Sequence, residues 1–116
     1  MSFVPYTLLL ALIMVESGGR NNALGPVGEV GCLQITEIMR RDVKRISGRT
    51  VTADDCKSRV VSIEVAMIYL SHYVTAERLG REPTLRDYAL VWHYGPRGWR
   101  RQGDDPYWEK VKQVLP

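Results

Sequence analysis

An unbroken apolar run that closes on a single acid constrains this chain more than any other feature. Leu8-Leu9-Leu10-Ala11-Leu12-Ile13-Met14-Val15 leads, with no polar interruption, into Glu16-Ser17-Gly18-Gly19. Such a run reads as a buried helix, and the glycine pair stops it. Leu9, Leu12, Ile13 and Glu16 recur at spacings of three and four, so the carboxylate continues a core-facing stripe. Burial raises the pKa of a carboxyl, and the negative end of the helix dipole pushes the same way. A helix C-terminus favours Lys or Arg. An acid there breaks a local rule, as functional sites tend to do. A partly exposed Glu at a frayed helix end is the competing reading of this segment alone.

The same run could be mistaken for a signal peptide. It lacks a basic segment before it and an A-x-A pattern after it, and it passes directly into Glu16. It is also too short to span a bilayer. It is therefore expected to be the first core helix of a single domain over residues 1–116, a length that builds one core and not two. Export would then need a removed leader, a holin-type release or another domain. The net charge of +3 suits a mildly anionic partner. Its Lys and Arg are interspersed with Asp and Glu, so no nucleic-acid partner is expected. Cys32 and Cys56 fit one disulfide in an oxidising compartment or two buried free thiols, and both readings stay open. No Cys/His spacing suits a metal, with His72 and His93 far apart, and no cofactor is expected.

The remainder reads as mostly helical, without repeats. Gly18 to Gly31 holds five Gly, one Pro and two Asn, which suits a tight loop or a small hairpin. A second helix is expected from Thr36 to about Ile46, capped by Thr36 and stopped at Gly48. Thr52-Ala53-Asp54-Asp55 resembles the cap of a short helical turn. The longest helix is expected from about Arg59 to Leu79, ended by Gly80, with Val60, Ile63, Met67, Leu70 and Val74 as its core stripe. Glu64, on the face of Val60 and Met67, is a rival acid, but it lies mid-helix and is expected to pair with an Arg. Thr84, with Asp87 reaching back, opens a helix that ends near Tyr94-Gly95-Pro96. Asp105-Pro106 opens the last one.

Three separated segments carry residues that contact sugars: Glu16 to Gly19, Gly31-Cys32-Leu33-Gln34-Ile35-Thr36, and Val91-Trp92-His93-Tyr94-Gly95-Pro96 followed by Tyr107-Trp108. Together they resemble the lytic-transglycosylase (SLT) branch of the lysozyme-like superfamily, related to goose-type lysozyme. That branch has an E-S pair ending a helix, a loop of the type A-v-S-p-x-G-A-x-G-L-M-Q, then A-Y-N-A-G-P and a Y-v-x-x-V helix. Here the run from Ala23 to Gln34 matches the loop without a gap, Val91 to Pro96 the third motif, and Tyr107 to Val111 the fourth. The order is kept from about Leu8 to Val111. The resemblance implies a mainly α, lysozyme-like helical domain with a Gly-rich loop or small β-hairpin lobe flanking the cleft.

By that resemblance Glu16 is the acid/base of a muramidase. The chemistry agrees, because cleaving a glycosidic bond needs an acid still protonated near neutral pH. The resemblance also makes Ser17, Gln34, Ile35, Trp92, His93, Tyr94 and Tyr107 candidates for binding the sugar, with Tyr107 beside Glu16. Structural alternatives stand beside several of these. Ser17 also suits a polar helix end, Gln34 a loop tie, Tyr107 a core aromatic, and His93 a helix C-cap. Trp92 suits core or cleft wall, and Trp99 and Trp108 suit sugar platforms or packing.

Three departures from the family pattern stand out. Trp92 and His93 replace Tyr and Asn, Tyr94 replaces a small residue, and Glu29 stands where Ala is usual. Glu29 is the candidate second carboxylate, and a solvated acid at a loop tip is its alternative. Arg97, Arg100 and Arg101 form a basic patch suited to an anionic cell wall or to plain solvation.

The reading is a peptidoglycan muramidase, either lytic transglycosylase or lysozyme, that cuts the MurNAc–GlcNAc β-1,4 bond. Its partner would be glycan strands, with no membrane span and a monomeric state. Its location would be the cell envelope or outside the cell, including phage-released. The alternative is a non-catalytic peptidoglycan- or chitin-binding domain on the same fold.

Overall fold

The computed structural model describes residues 3–116. Its first helix, α1 (Tyr6–Ser17), is apolar on nearly every side. Leu8, Leu9, Ala11, Leu12 and Ile13 are buried, while Tyr6, Leu10 and Met14 face solvent. Gly18, at φ +66°, closes the helix by donating its N–H to Met14 O. That left-handed turn is a glycine conformation, and it leaves Glu16 in the last helical turn.

Residues 19–35 form the Gly-rich loop. Two single antiparallel bridges, Leu24–Val30 and Val30–Ile35, order it without making hairpin strands. Gly31 sits at φ +86°, where a Cβ would lie 1.9 Å from Cys56 O. Only glycine lets the loop approach the turn at Asp54–Lys57 so closely. From the other side the buried Ser17 hydroxyl bridges Ile13 O at 3.0 Å and Cys32 O at 2.8 Å. The loop is thereby tied to the end of α1.

The expected caps are present. Thr36 caps α2 (Glu37–Ser47), which ends at Gly48. Thr84 and Asp87 form a reciprocal capping box on α5 (Leu85–Tyr94). Asp105 accepts from Trp108 N–H at the start of α6 (Pro106–Val114), with Pro106 at its first position.

The long central helix departs from expectation. It runs as α3 (Arg59–Tyr73), leaves helical geometry at Val74, and restarts as the short α4 (Ala76–Leu79), closed by Gly80. Two β-branched residues in a row weaken the helix there, and the Thr75 hydroxyl caps Arg78 N–H instead. The core face is also rotated from the expected stripe. Leu70 and Val74 are buried, but Val60 and Met67 are exposed and Ile63 is half-buried. The inward face is Ser62, Val65, Ala66, Tyr69, Leu70 and Tyr73. Aromatic volume and the Ser62 hydroxyl, which bonds Cys56 O at 2.8 Å, decide that rotation. Glu64 stays on the wet side and pairs with Arg49 at 3.1 Å, as expected.

Helices α1, α5 and α6 pack together, α3 packs on α5, and α2 covers α3. The buried residues form one hydrophobic cluster reaching from Leu8 to Val111. Cys32 and Cys56 are both fully buried free thiols within it. Among the described residues no helix is long and apolar enough to cross a membrane.

Candidate active site

The packing of α6 against α1 brings Tyr107 over the end of the first helix. Its hydroxyl donates to Glu16 Oε2 at 2.6 Å, across 91 residues of sequence. Glu16 is half-buried, and burial is the main cause that raises its pKa. The Tyr107 bond opposes that rise, and the negative charge of Glu29 adds to it. Burial and the neighbouring carboxylate push the Tyr107 phenol far above its usual range, so it stays a donor. With Oε2 accepting from the phenol, Oε1 is the oxygen free to carry a proton.

His93 lies flat against Tyr107, with ring centroids 4.0 Å apart and planes 9° from parallel. Burial of part of the ring lowers its pKa; Asp105 opposes this, while Lys110 and Arg101 reinforce it. The ring is therefore a neutral stacking partner at neutral pH. The departure from the family Asn puts an aromatic clamp on the tyrosine that holds Glu16.

On the loop side Glu29 and Gln34 converge over Gly25. A Cβ there would lie 2.6 Å from Glu29 Oε1 and 2.7 Å from Gln34 Oε1. Glu29 Oε1 also accepts from Val27 N–H at 2.9 Å, so the carboxylate is anchored. Gln34 is the one non-glycine residue at positive φ among those described, at 53°. Its side-chain amide donates to Gly31 O at 3.0 Å and Ala23 O at 3.3 Å, which holds the strained turn. Strain of this kind costs about 1 kcal/mol and marks positions that the surroundings over-determine.

Of the remaining sequence candidates, Ser17, Ile35 and Trp92 sit behind this surface, while Tyr94 is exposed. Ser17 is buried and bonded to Cys32 O. Ile35 is fully buried in its bridge with Val30. Trp92 is 2 % exposed and meets Tyr69 edge-on at 5.8 Å, so it backs α5 and offers no face to solvent. Tyr94 turns its hydroxyl to Asp105 at 2.8 Å, under the Arg101 guanidinium. Arg59 was not among the sequence candidates. It donates to Gly19 O and braces the glycine turn after Glu16, from 40 residues away in sequence. No local spacing signals that contact. Among the described residues no His, Cys, Asp or Glu cluster could hold a metal ion.

Comparison with known families gives the chain its family. A family model described as the transglycosylase SLT domain matches residues 1–111. The chain belongs to that family. The match spans every motif above, from the Glu16-Ser17 pair to Tyr107 and Val111. The SLT family is one of lytic transglycosylases acting on peptidoglycan, which sets the activity class of the chain at that level. A comparison with curated proteins finds no match.

Proposed function

We propose that this SLT domain, one catalytic domain over residues 1–116, is a monomeric muramidase acting in the envelope or outside the cell. It cuts the β-1,4 bond between N-acetylmuramic acid and N-acetylglucosamine, with Glu16 as general acid and then general base. The observation that carries this reading is the 2.6 Å bond from Tyr107 to a Glu16 whose burial raises its pKa. A carboxyl so held stays protonated closer to neutral pH, and its free oxygen is defined.

The steps balance without a second reactant. Glu16 Oε1 gives its proton to the glycosidic oxygen as the bond from muramoyl C1 to that oxygen breaks. The carboxylate then takes the proton of the muramoyl 6-hydroxyl, whose oxygen bonds to C1. The product ends are a 1,6-anhydromuramoyl group and a free 4-hydroxyl, and Glu16 is protonated again. Glu29 acts here by charge, keeping Glu16 protonated, while Gln34 and the loop backbone offer amides to the N-acetyl groups. Ser17, Ile35 and Trp92 support the walls from behind, and Tyr94 stays exposed beside Asp105.

Hydrolysis is the second reading, favoured by the proximity of Glu29. A second carboxylate that holds a water would favour inversion over the anhydro route. Mass spectrometry of products from purified peptidoglycan separates the two. Anhydromuramoyl ends are expected. Reducing muramoyl ends would replace the anhydro route with a lysozyme mechanism, and binding without turnover would overturn catalysis altogether.

A further inference from the structure

Away from Glu16, the surface formed by α5 and the turn at Gly98–Arg100 concentrates the positive charge of the chain. A groove of about 760 Å³ is lined by Arg81, Arg86, Trp99, Arg100 and Arg101 with Gln102 and Gly103, and no acid lines it. A second depression shares Trp99 and Arg100 with it and adds Arg78 and Arg97, again without an acid. These six arginines decide the sign of the molecule. Without them ten basic residues would face thirteen acids, against sixteen in the whole chain.

The arginines are not equivalent. Arg81 is held by Asp87 through two contacts of 2.6 and 2.8 Å, and Arg101 by Asp105 at 3.3 Å. Both acids are buried beneath the surface. Arg86 is fixed by the carbonyls of Arg101, at 3.1 Å, and Gly103, at 2.9 Å. Arg100 lies over the Trp99 ring, 5.2 Å from its centroid. Arg78, Arg86, Arg97 and Arg100 have no carboxylate partner among the described residues. Arg86 and Arg100 thus combine a held guanidinium with uncompensated charge, which matches the forked geometry of phosphate, and Arg97 adds charge beside them. Their spread along two joined grooves suits charges repeated along a strand better than one anion.

We propose that this arginine groove binds a linear phosphodiester polymer of the cell envelope, one with a flexible polyol backbone, separately from the glycan site. The envelope setting rests on the muramidase reading, but the contact chemistry does not. Nucleic acid is the less suited phosphodiester. Single-stranded nucleic acids rely on successive open aromatic platforms, and here both lining aromatics are covered: Trp99 is half-buried beneath Arg100, and Tyr73 is buried with Arg78 over its ring. Bound wall polymer would hold the enzyme at its substrate and raise the local concentration of glycan at Glu16.

The test uses poly(glycerol phosphate), which has no glycosidic bond, so its result is independent of whether Glu16 cuts glycan. Binding to the full chain is titrated between about 50 and 200 mM salt, a range in which phosphate contacts declare themselves. Wild type is expected to bind with an affinity that falls steeply with salt. Arg97→Gln with Arg100→Gln should weaken binding about tenfold and flatten the logarithmic salt slope by roughly 1.4, at about 0.7 per contact for a single strand. Arg86→Gln should weaken it further, with circular dichroism checking the fold. Single-stranded DNA of equal phosphate number is expected to bind more weakly. Absence of polymer binding, an unchanged slope in the double variant, or DNA binding as tightly as the polymer would each overturn the proposal.

Discussion

Glu16 answers to two neighbours that pull in opposite directions, and this makes its role separable from mere burial. Burial, the main cause of its raised pKa, is left in place by substitutions at Tyr107 and Glu29. The Tyr107 bond favours the ionised form, so Tyr107→Phe should raise the Glu16 pKa further. Glu29 disfavours that form, so Glu29→Gln should lower it. A general acid is lost as pH rises through its pKa. The alkaline limb of kcat/KM should therefore move to higher pH in Tyr107→Phe and to lower pH in Glu29→Gln. Tyr107→Phe should also cost on the order of tenfold in kcat/KM, through lost orientation of the carboxyl. Limbs that move together, or not at all, would detach Glu16 from the titration. At this scale the sequence was informative about Glu16, because an acid closing an apolar stripe is visible locally. The His93–Tyr107 stack was not, since it depends on how α5 and α6 dock.

The elements were legible where their signals are short-range. Thr84 and Asp87 stand three apart, and Asp105 stands directly before Pro106, so each cap is written within one turn. The break between α3 and α4 was missed because Leu70 and Val74 continue a helical period through it. Thr75 outcompetes that period with a single hydroxyl. The rotated face of α3 was missed because a search for aliphatic residues passes over Tyr69 and Tyr73, which fill the core. The loop depends on a contact no spacing reveals, that of Gly31 with Cys56 O. Gly31→Ala should cost roughly 3 kcal/mol or more, from the clash added to the left-handed strain. Gly28→Ala has a similar φ of +88° but open space around it, and should cost only about 1–2 kcal/mol. Urea denaturation of both reads the difference, and equal losses would mean that the loop does not rest on Cys56.

The whole molecule is arranged so that the first helix and the last two, at opposite ends of the sequence, close on one carboxyl. α1 delivers Glu16, α6 delivers the tyrosine that holds it, and α5 delivers the histidine that clamps the tyrosine. The order of these segments was legible through their resemblance to one family, and the match over residues 1–111 bears out that membership. Their convergence was not, because the packing of α1 on α6 joins opposite ends of the chain. The distribution of charge was legible only in part: Arg97, Arg100 and Arg101 stand together in the sequence, but Arg78, Arg81 and Arg86 join them only in the fold. Interspersed signs along the sequence conceal how far this arginine-lined groove extends, since Asp87 and Asp105, which pair with Arg81 and Arg101, lie buried behind it. The central claim is that catalysis runs through Glu16, and one comparison tests it most directly. Glu16→Gln keeps the shape of the side chain and an oxygen for Tyr107, but it cannot exchange the proton. Its rate of release of soluble fragments from purified peptidoglycan is predicted to fall about 10²- to 10⁴-fold below wild type, with circular dichroism and melting unchanged. A folded Glu16→Gln protein that releases fragments at the wild-type rate would contradict the account.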